Sequence, residues 1–173
     1  MLCATHPAYL AKVMSAQLNA RFDKKGEKAA MLIVSSAGSF MPSPGNLIYS
    51  AAKIFTSYIG EGLYYEFEGK VDVLNYMPAS VETNMFNSEK AGSSAGFISA
   101  EEAVEVSLRD LGVEPSSYGH HSHENTIGFI SMFPRPMMAR ASFKGTNEYH
   151  ARLEKEAAEK AAAGGATAGE QLK

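Results

Sequence analysis

Apolar positions recur at helical intervals over residues 7–22 (PAYLAKVMSAQLNARF), where Leu10, Val13, Met14, Leu18 and Phe22 fall on one side. The charged stretch DKKGEK then reads as a turn. Residues 29–35 (AAMLIVS) form a short, nearly unbroken apolar run, the pattern of a strand buried on both faces. A stretch rich in glycine, serine and proline, SSAGSFMPSPGN, separates it from a second helical pattern over about 46–67. The apolar side of that helix carries Leu47, Ile48, Ala51, Ala52, Phe55, Ile59, Leu63 and Phe67. Gly69 is a natural stop for it, and KVDVLNYM (70–77) predicts a second strand closed by Pro78.

Strand, loop, long helix and strand make a βαβ unit, whose crossover sets the two strands parallel. Open parallel sheets collect ligands at the carboxyl ends of their strands. Here those ends are Ser35–Ser36 and the segment 78–83. Farther on, SAEEAVEVSLRDLG (99–112) predicts an amphipathic helix, with Ser99 and Glu102 at capping-box spacing. Residues 113–125 read as irregular, and the apolar patch 126–143 is broken by Pro134 and Pro136. The tail begins as a charged, alanine-rich helix with Glu156 and Lys160 at i,i+4 spacing, then runs into small residues that predict disorder. No internal repeat is evident.

The length of 173 residues suits a single domain with its own core. Net charge is −3, and the basic residues are scattered, so the electrostatic footprint of nucleic-acid binding is missing. One cysteine, Cys3, excludes an internal disulfide framework and leans toward a reducing compartment. No apolar run reaches the roughly 20 residues of a spanning helix. The order of a signal peptide, basic and then apolar, is also absent from the beginning of the sequence.

Candidate chemistry lies on the second helix. Tyr49 and Lys53, four residues apart, share a helical face, and a cation held beside a phenol favours its ionised form. Tyr-x-x-x-Lys by itself is weak evidence, since a chain with eight tyrosines meets it readily by chance. Ser36, thirteen residues before Tyr49 at the end of the first strand, changes the odds. The string IVSSAGSFMPSPGNLIYSAAK resembles the short-chain dehydrogenase/reductase superfamily, in which a serine at a strand end meets a Tyr-x-x-x-Lys helix. The likeness continues through VDVLNYMPASVETNMF, which is similar to that family's strand and proline-containing loop beside the nicotinamide. SLRDLGVEPSSYGHHSH, followed by a proline-broken apolar stretch, resembles the branch of 17β-hydroxysteroid dehydrogenases and very-long-chain 3-oxoacyl-CoA reductases.

The resemblance implies an α/β fold, a Rossmann-like doubly wound parallel sheet, and an NAD(P)H-dependent reductase of a ketone on a hydrophobic molecule, with NADP favoured over NAD. It implies Ser36, Tyr49 and Lys53 as catalytic residues, with Tyr49 as proton donor, Ser36 orienting the carbonyl oxygen and Lys53 tuning the tyrosine. It further implies that Tyr49, Lys53, Pro78, Val81 and Thr83 bind the cofactor, although Thr83 also fits an ordinary helix cap. His120, His121 and His123 read either as metal ligands or, without a second ligand group at a recognised spacing, as a loop packed at the substrate entrance. An endoplasmic-reticulum or cytoplasmic location follows from the same likeness.

The sequence also departs from the family. No glycine-rich turn opens a helix after a strand, because GEG (60–62) falls inside the second helix and GGATAG (164–169) in the tail. The likeness covers residues 1–145, which correspond to the second half of the fold, with 146–173 as an appended helix and tail. The asparagine many members carry on the preceding helix has no counterpart before Asn19, and Ala79 stands where glycine is commoner. A half-sheet has an open edge and an uncovered apolar face. Expectation therefore divides between a truncated oxidoreductase and a non-catalytic remnant that acts as a structural or interaction subunit. In either case a partner chain or a second copy would cover the open face.

Overall fold

The computed structural model describes residues 3–84, 86, 88–91 and 96–170, with the side chains of residues 89, 90, 160 and 162–170 outside the description. Helix α1 (Thr5–Lys25) leads into strand β1 (Ala29–Val34), and helix α2 (Leu47–Glu66) returns the chain to strand β2 (Val71–Tyr76). The two strands are parallel and in register from Ala29 beside Val71 to Val34 beside Tyr76. Strand β5 (Ser116–Ser117) pairs on the other side of β2, also parallel, giving the order β1-β2-β5. The fold thus has the parallel strand pair that the apolar runs and intervening helix predict, within the partial, Rossmann-like sheet that the family resemblance implies.

Central position explains why β2 is the best-buried strand. Val73, Leu74 and Asn75 are fully buried, and Phe67, Val71 and Val73 form a core against Leu18, Met31 and Leu63. Strand β1 differs from expectation. Ile33 is buried, but Ala30, Leu32 and Val34 on the opposite face are exposed, because the helices beside β1 cover only one side. The unbroken apolar run therefore identifies the strand correctly but misstates its burial.

Helix α2 shows a second correction. Its buried residues are Ser50, Thr56, Ser57 and Gly60, whereas Leu47 and Phe55 are exposed and Ile48 is 83% exposed. Close approach is the reason. A Cβ built on Gly60 would stand 2.9 Å from the Asn75 Cβ and 3.3 Å from that of Ile33, so only small residues fit between helix and sheet. Asn75 adds a polar fastening by donating to Ser57 Oγ at 2.7 Å and to Ser116 Oγ at 2.9 Å. Leu47, Ile48 and Phe55 are left outside, as are Leu10, Val13 and Met14 of α1, while Leu63 and Phe67 at the other end of the apolar side do join the core.

After β2 come the two-residue strands β3 (Ser80–Val81) and β4 (Phe97–Ile98), paired parallel, with helix α3 (Ser88–Ala91) between them. Helix α4 (Ala100–Asp110) carries the full capping box between Ser99 and Glu102. The region 113–125, expected to be irregular, contains β5 and the first turns of helix α5 (His121–Ser131). Pro134 separates α5 from α6 (Arg135–Glu170), while Pro136 sits in the first turn of α6, where its missing N–H costs nothing. Helix α6 continues through the small residues that predict disorder. The Glu156–Lys160 pair lies outside the described side chains, but Arg152–Glu156 and Lys155–Glu159 form i,i+4 ion pairs at 3.7 and 3.9 Å.

The end of α4 is tied to β5 through Asp110. Arg109 donates to this carboxylate at 2.6 and 3.1 Å, Ser117 Oγ donates at 2.6 Å, and Arg109 also reaches the Gly119 carbonyl at 2.8 Å. Burial pushes the Asp110 carboxyl up, but the hydrogen bonds from Arg109 and Ser117 and the charge of Arg109 hold it below its usual value.

Tyr76 is buried beside this network, and no described protein group hydrogen-bonds its hydroxyl. Burial, and then the Asp110 charge, push its phenol up. A raised pKa in the folded state gives stability below the unfolded value of about 10 that is lost as pH rises through the folded value. Tyr76→Phe should therefore flatten the alkaline loss of stability, leaving the part due to Tyr118, whose phenol is also raised by burial. At neutral pH it should be neutral or stabilising by about 1 kcal/mol, since it removes a buried polar group without a partner. Urea midpoints measured from pH 7 to 11 test both effects, and a clear loss at neutral pH would show that the hydroxyl is used.

Candidate active site

The two consecutive serines after β1 have opposite tasks. Ser35 is buried, and its hydroxyl donates to the Lys53 carbonyl at 2.7 Å while its N–H donates to the Tyr76 carbonyl at 2.7 Å, pinning the strand end to α2 and β2. Alternation along extended backbone turns Ser36 the other way. Its hydroxyl oxygen accepts the Gly38 N–H at 3.1 Å, capping a short 3-10 turn over Ala37–Ser39. That bond uses an acceptor site and leaves the serine hydrogen free to donate.

Gly38 brings Ser36 and Tyr49 together. A Cβ built on it would lie 3.4 Å from Ser36 Oγ and 3.3 Å from Cε1 of Tyr49, so the hydroxyl and the ring flank the same point. One helical turn along α2, Lys53 Nζ stands 5.7 Å from the centroid of the Tyr49 ring and donates to the Val34 carbonyl at 3.3 Å. The ammonium is thereby held between the carboxyl end of β1 and the tyrosine, with two hydrogens to spare. Tyr49 is 38% exposed, open to an incoming molecule.

The segment leaving β2 adjoins this group. Ala37 N–H donates to the Pro78 carbonyl at 2.9 Å, joining the two strand-end loops. Val81 lies in β3, opposite Ile98. Thr83 is exposed and closes a turn, its hydroxyl donating to the Phe86 carbonyl at 3.0 Å and accepting the Phe86 N–H at 3.1 Å. Ser36, Tyr49, Lys53 and Pro78 are thus gathered at the strand ends, while Val81 and Thr83 continue along the loop.

A cleft of about 300 Å³ opens beside Ser36, lined by Phe40 and Met41, by Ala79 and Ser80, and by Thr126, Ile127 and Ile130 of α5. The three histidines near α5 lie together, the His120 ring meeting that of His123 edge-on at 6.0 Å, but they bond differently. His120 caps the helix by accepting the Ser122 N–H at 3.2 Å and stacks on His121, with ring centroids 4.0 Å apart. His123 is fully buried, with both ring nitrogens bonded to main chain. Sequence reasoning grouped it with its neighbours because adjacency was the only signal. Gly38, which lets the ring reach the serine, carried no signal beyond its place in a flexible-looking stretch.

The family profile described as short chain dehydrogenase matches residues 9–94, which include Ser36, Tyr49, Lys53, Pro78, Val81 and Thr83. Hydroxysteroid dehydrogenase-like protein 1 of Gallus gallus is 33% identical over 106 residues, covering 58% of this chain and 32% of that protein. Very-long-chain 3-oxoacyl-CoA reductase of Mus musculus is 30% identical over 111 residues, covering 64% and 35%. The chain therefore spans about a third of the length of these curated relatives. A solved structure of a 7β-hydroxysteroid dehydrogenase superposes with a TM-score of 0.62 at 23% identity, covering 78% of this chain and 50% of that one, a likeness of fold. The parallel sheet, the profile match and these relatives agree, and the chain belongs to the short-chain dehydrogenase/reductase superfamily.

Proposed function

We propose that this chain is part of an NAD(P)H-dependent oxidoreductase that interconverts a ketone and an alcohol on a hydrophobic molecule, such as a 3-oxoacyl thioester or a steroid. The superfamily is one of oxidoreductases using NAD(P), and NADP is the cofactor we favour. The observation that carries the reading is the convergence of Ser36 and Tyr49 on Gly38, with the Lys53 ammonium 5.7 Å from the tyrosine ring. A mostly apolar cleft beside Ser36 suits a hydrophobic substrate, and its relatives' names point to the same chemical class.

The residues present fit the nicotinamide end of a dinucleotide. Lys53, with two uncommitted hydrogens, would hold ribose hydroxyls together with Tyr49, and Pro78, Val81 and Thr83 would border the nicotinamide ring and the neighbouring phosphates. The bound cofactor supplies or accepts the hydride. Ser36 donates to the carbonyl oxygen as it gains charge. Tyr49 delivers a proton to that oxygen, and Lys53 keeps positive charge near the phenol that loses it. Among the described residues, GEG lies within α2 and 164–169 within α6, so neither offers the strand-to-helix turn that binds a pyrophosphate.

A second reading has its own support. The exposed Leu32 and Val34, on the face of β1 that the helices leave open, suit a subunit that buries this face on a partner chain or a second copy. NADPH titration addresses both readings. The chain alone should bind more weakly than about 1 mM, and the chain complemented by a glycine-rich nucleotide-binding half should consume NADPH when a steroid ketone or 3-oxoacyl thioester is added. Failure of the complemented form to consume NADPH with either class would favour the non-catalytic subunit. Within the active form, Ser36→Ala should lower turnover by about 10²–10³-fold with cofactor affinity unchanged, the signature of a donor used only at the developing oxyanion.

A further inference from the structure

His123 is a polar ring with no solvent exposure, the second-largest fully buried side chain among the described residues after Leu74. Burying imidazole is costly unless both nitrogens find partners. Here all the partners are main-chain groups of two other segments. Nδ1 accepts the Ala79 N–H at 3.3 Å, which requires the proton on Nε2. Nε2 in turn faces the Ser80 carbonyl at 3.2 Å and the Gly96 carbonyl at 3.1 Å and donates between them. Ser80 opens β3 and Gly96 immediately precedes β4, so one ring spans the start of the small sheet.

The helix carrying His123 also contributes three residues to the lining of the cleft. Thr126, Ile127 and Ile130 follow it at positions +3, +4 and +7, the spacing of one helical face. Ala79 and Ser80, which His123 bonds, line the same cleft. We infer that His123 is a positioning residue that fastens the Ala79–Ser80 loop to α5 and so sets the width of the cleft in front of Ser36. The consequence for ketone binding rests on the oxidoreductase reading, while the fastening itself does not.

The bonding of the two ring nitrogens can be separated by substitution. Asparagine places its carbonyl oxygen where Nδ1 lies and keeps the acceptor for Ala79, whereas glutamine reaches the Nε2 position and keeps only the donor. Amide exchange at Ala79, measured by NMR on the full chain, should accelerate about tenfold or more in His123→Gln and stay within about threefold of the parent in His123→Asn. The buried amides of Val73 and Leu74 serve as the reference. If Ala79 accelerates only in step with them, or equally in both variants, His123 supports the fold in general and the inference is overturned. Should the variants fail to fold, the ring nitrogens of the parent decide the matter, because a proton on Nδ1 is incompatible with acceptance from Ala79. Titration with a steroid ketone, followed at the methyls of Ile127 and Ile130, should give a dissociation constant raised about tenfold in His123→Gln and near the parent in His123→Asn. Unchanged affinity in His123→Gln overturns the control of the cleft. Absence of binding by the parent counts against the ketone reading, and with it the control of the cleft, while exchange at Ala79 still decides the fastening.

Discussion

Tyr49→Phe is expected to lower ketone reduction by about 10²–10⁴-fold, the usual worth of a positioned general acid. The ring is retained, so its packing near Gly38 and Ser36 should persist, and cofactor affinity should fall only by the one ribose contact its hydroxyl would share with Lys53. Lys53→Met is expected to damage both quantities, for two reasons. It removes the cation 5.7 Å from the tyrosine ring, and it removes the ammonium tied to the Val34 carbonyl from which ribose hydroxyls would be held. Steady-state rates and NADPH affinity of the complemented form distinguish these outcomes. Ketone reduction by Tyr49→Phe at the parent rate would reduce the Tyr49–Lys53 pair to two neighbours on a helix.

Gly119→Ala is expected to cost about 3 kcal/mol or more, combining left-handed backbone strain with overpacking. Its φ is +77°, and a Cβ there would lie 2.6 Å from Cε2 of Tyr76 and 2.7 Å from Cγ2 of Val106. The turn has little freedom to retreat. Gly119 N–H donates to Ser117 Oγ at 2.8 Å, and the Gly119 carbonyl accepts from Arg109, so the whole Asp110 network would have to shift. Gly69→Ala is the control, with φ +80° but nothing within 4 Å of the new methyl, and should cost only about 1–2 kcal/mol. Urea denaturation of the two variants measures the difference. Equal losses would mean that backbone strain alone governs both positions. Because His120 follows directly and caps α5, Gly119→Ala should also disturb the Ala79 amide by way of His123.

Much of the architecture was legible in local spacing. The run 29–35 and the strand 70–77 were both visible as strands, and the helix between them dictated that they be parallel. The Ser99–Glu102 capping box formed as its spacing predicts. Ser36 and Tyr49 were candidates for proximity because a strand end and the following helix belong to one βαβ unit. The short pieces were not legible. Strands β3, β4 and β5 have two residues each, too few to show a period, and β5 is recognisable only because Asn75 and Tyr76 offer it an edge.

Burial was the least legible property. Periodicity placed Ile48 and Phe55 in the core and passed over Ser57 and Gly60, whereas the close approach of Asn75 and Ile33 admits only small residues there and leaves Ile48 and Phe55 outside. By itself the sequence determined the helices, the long strands and the pairing of Tyr49 with Lys53 on one helical face, because those follow from backbone periods acting over a few residues. Tertiary structure alone decided which face of β1 stays open and that one histidine of three joins loop to helix. Those outcomes depend on how closely distant segments approach, and His123 meets Ala79 across 44 residues of chain that no local pattern spans.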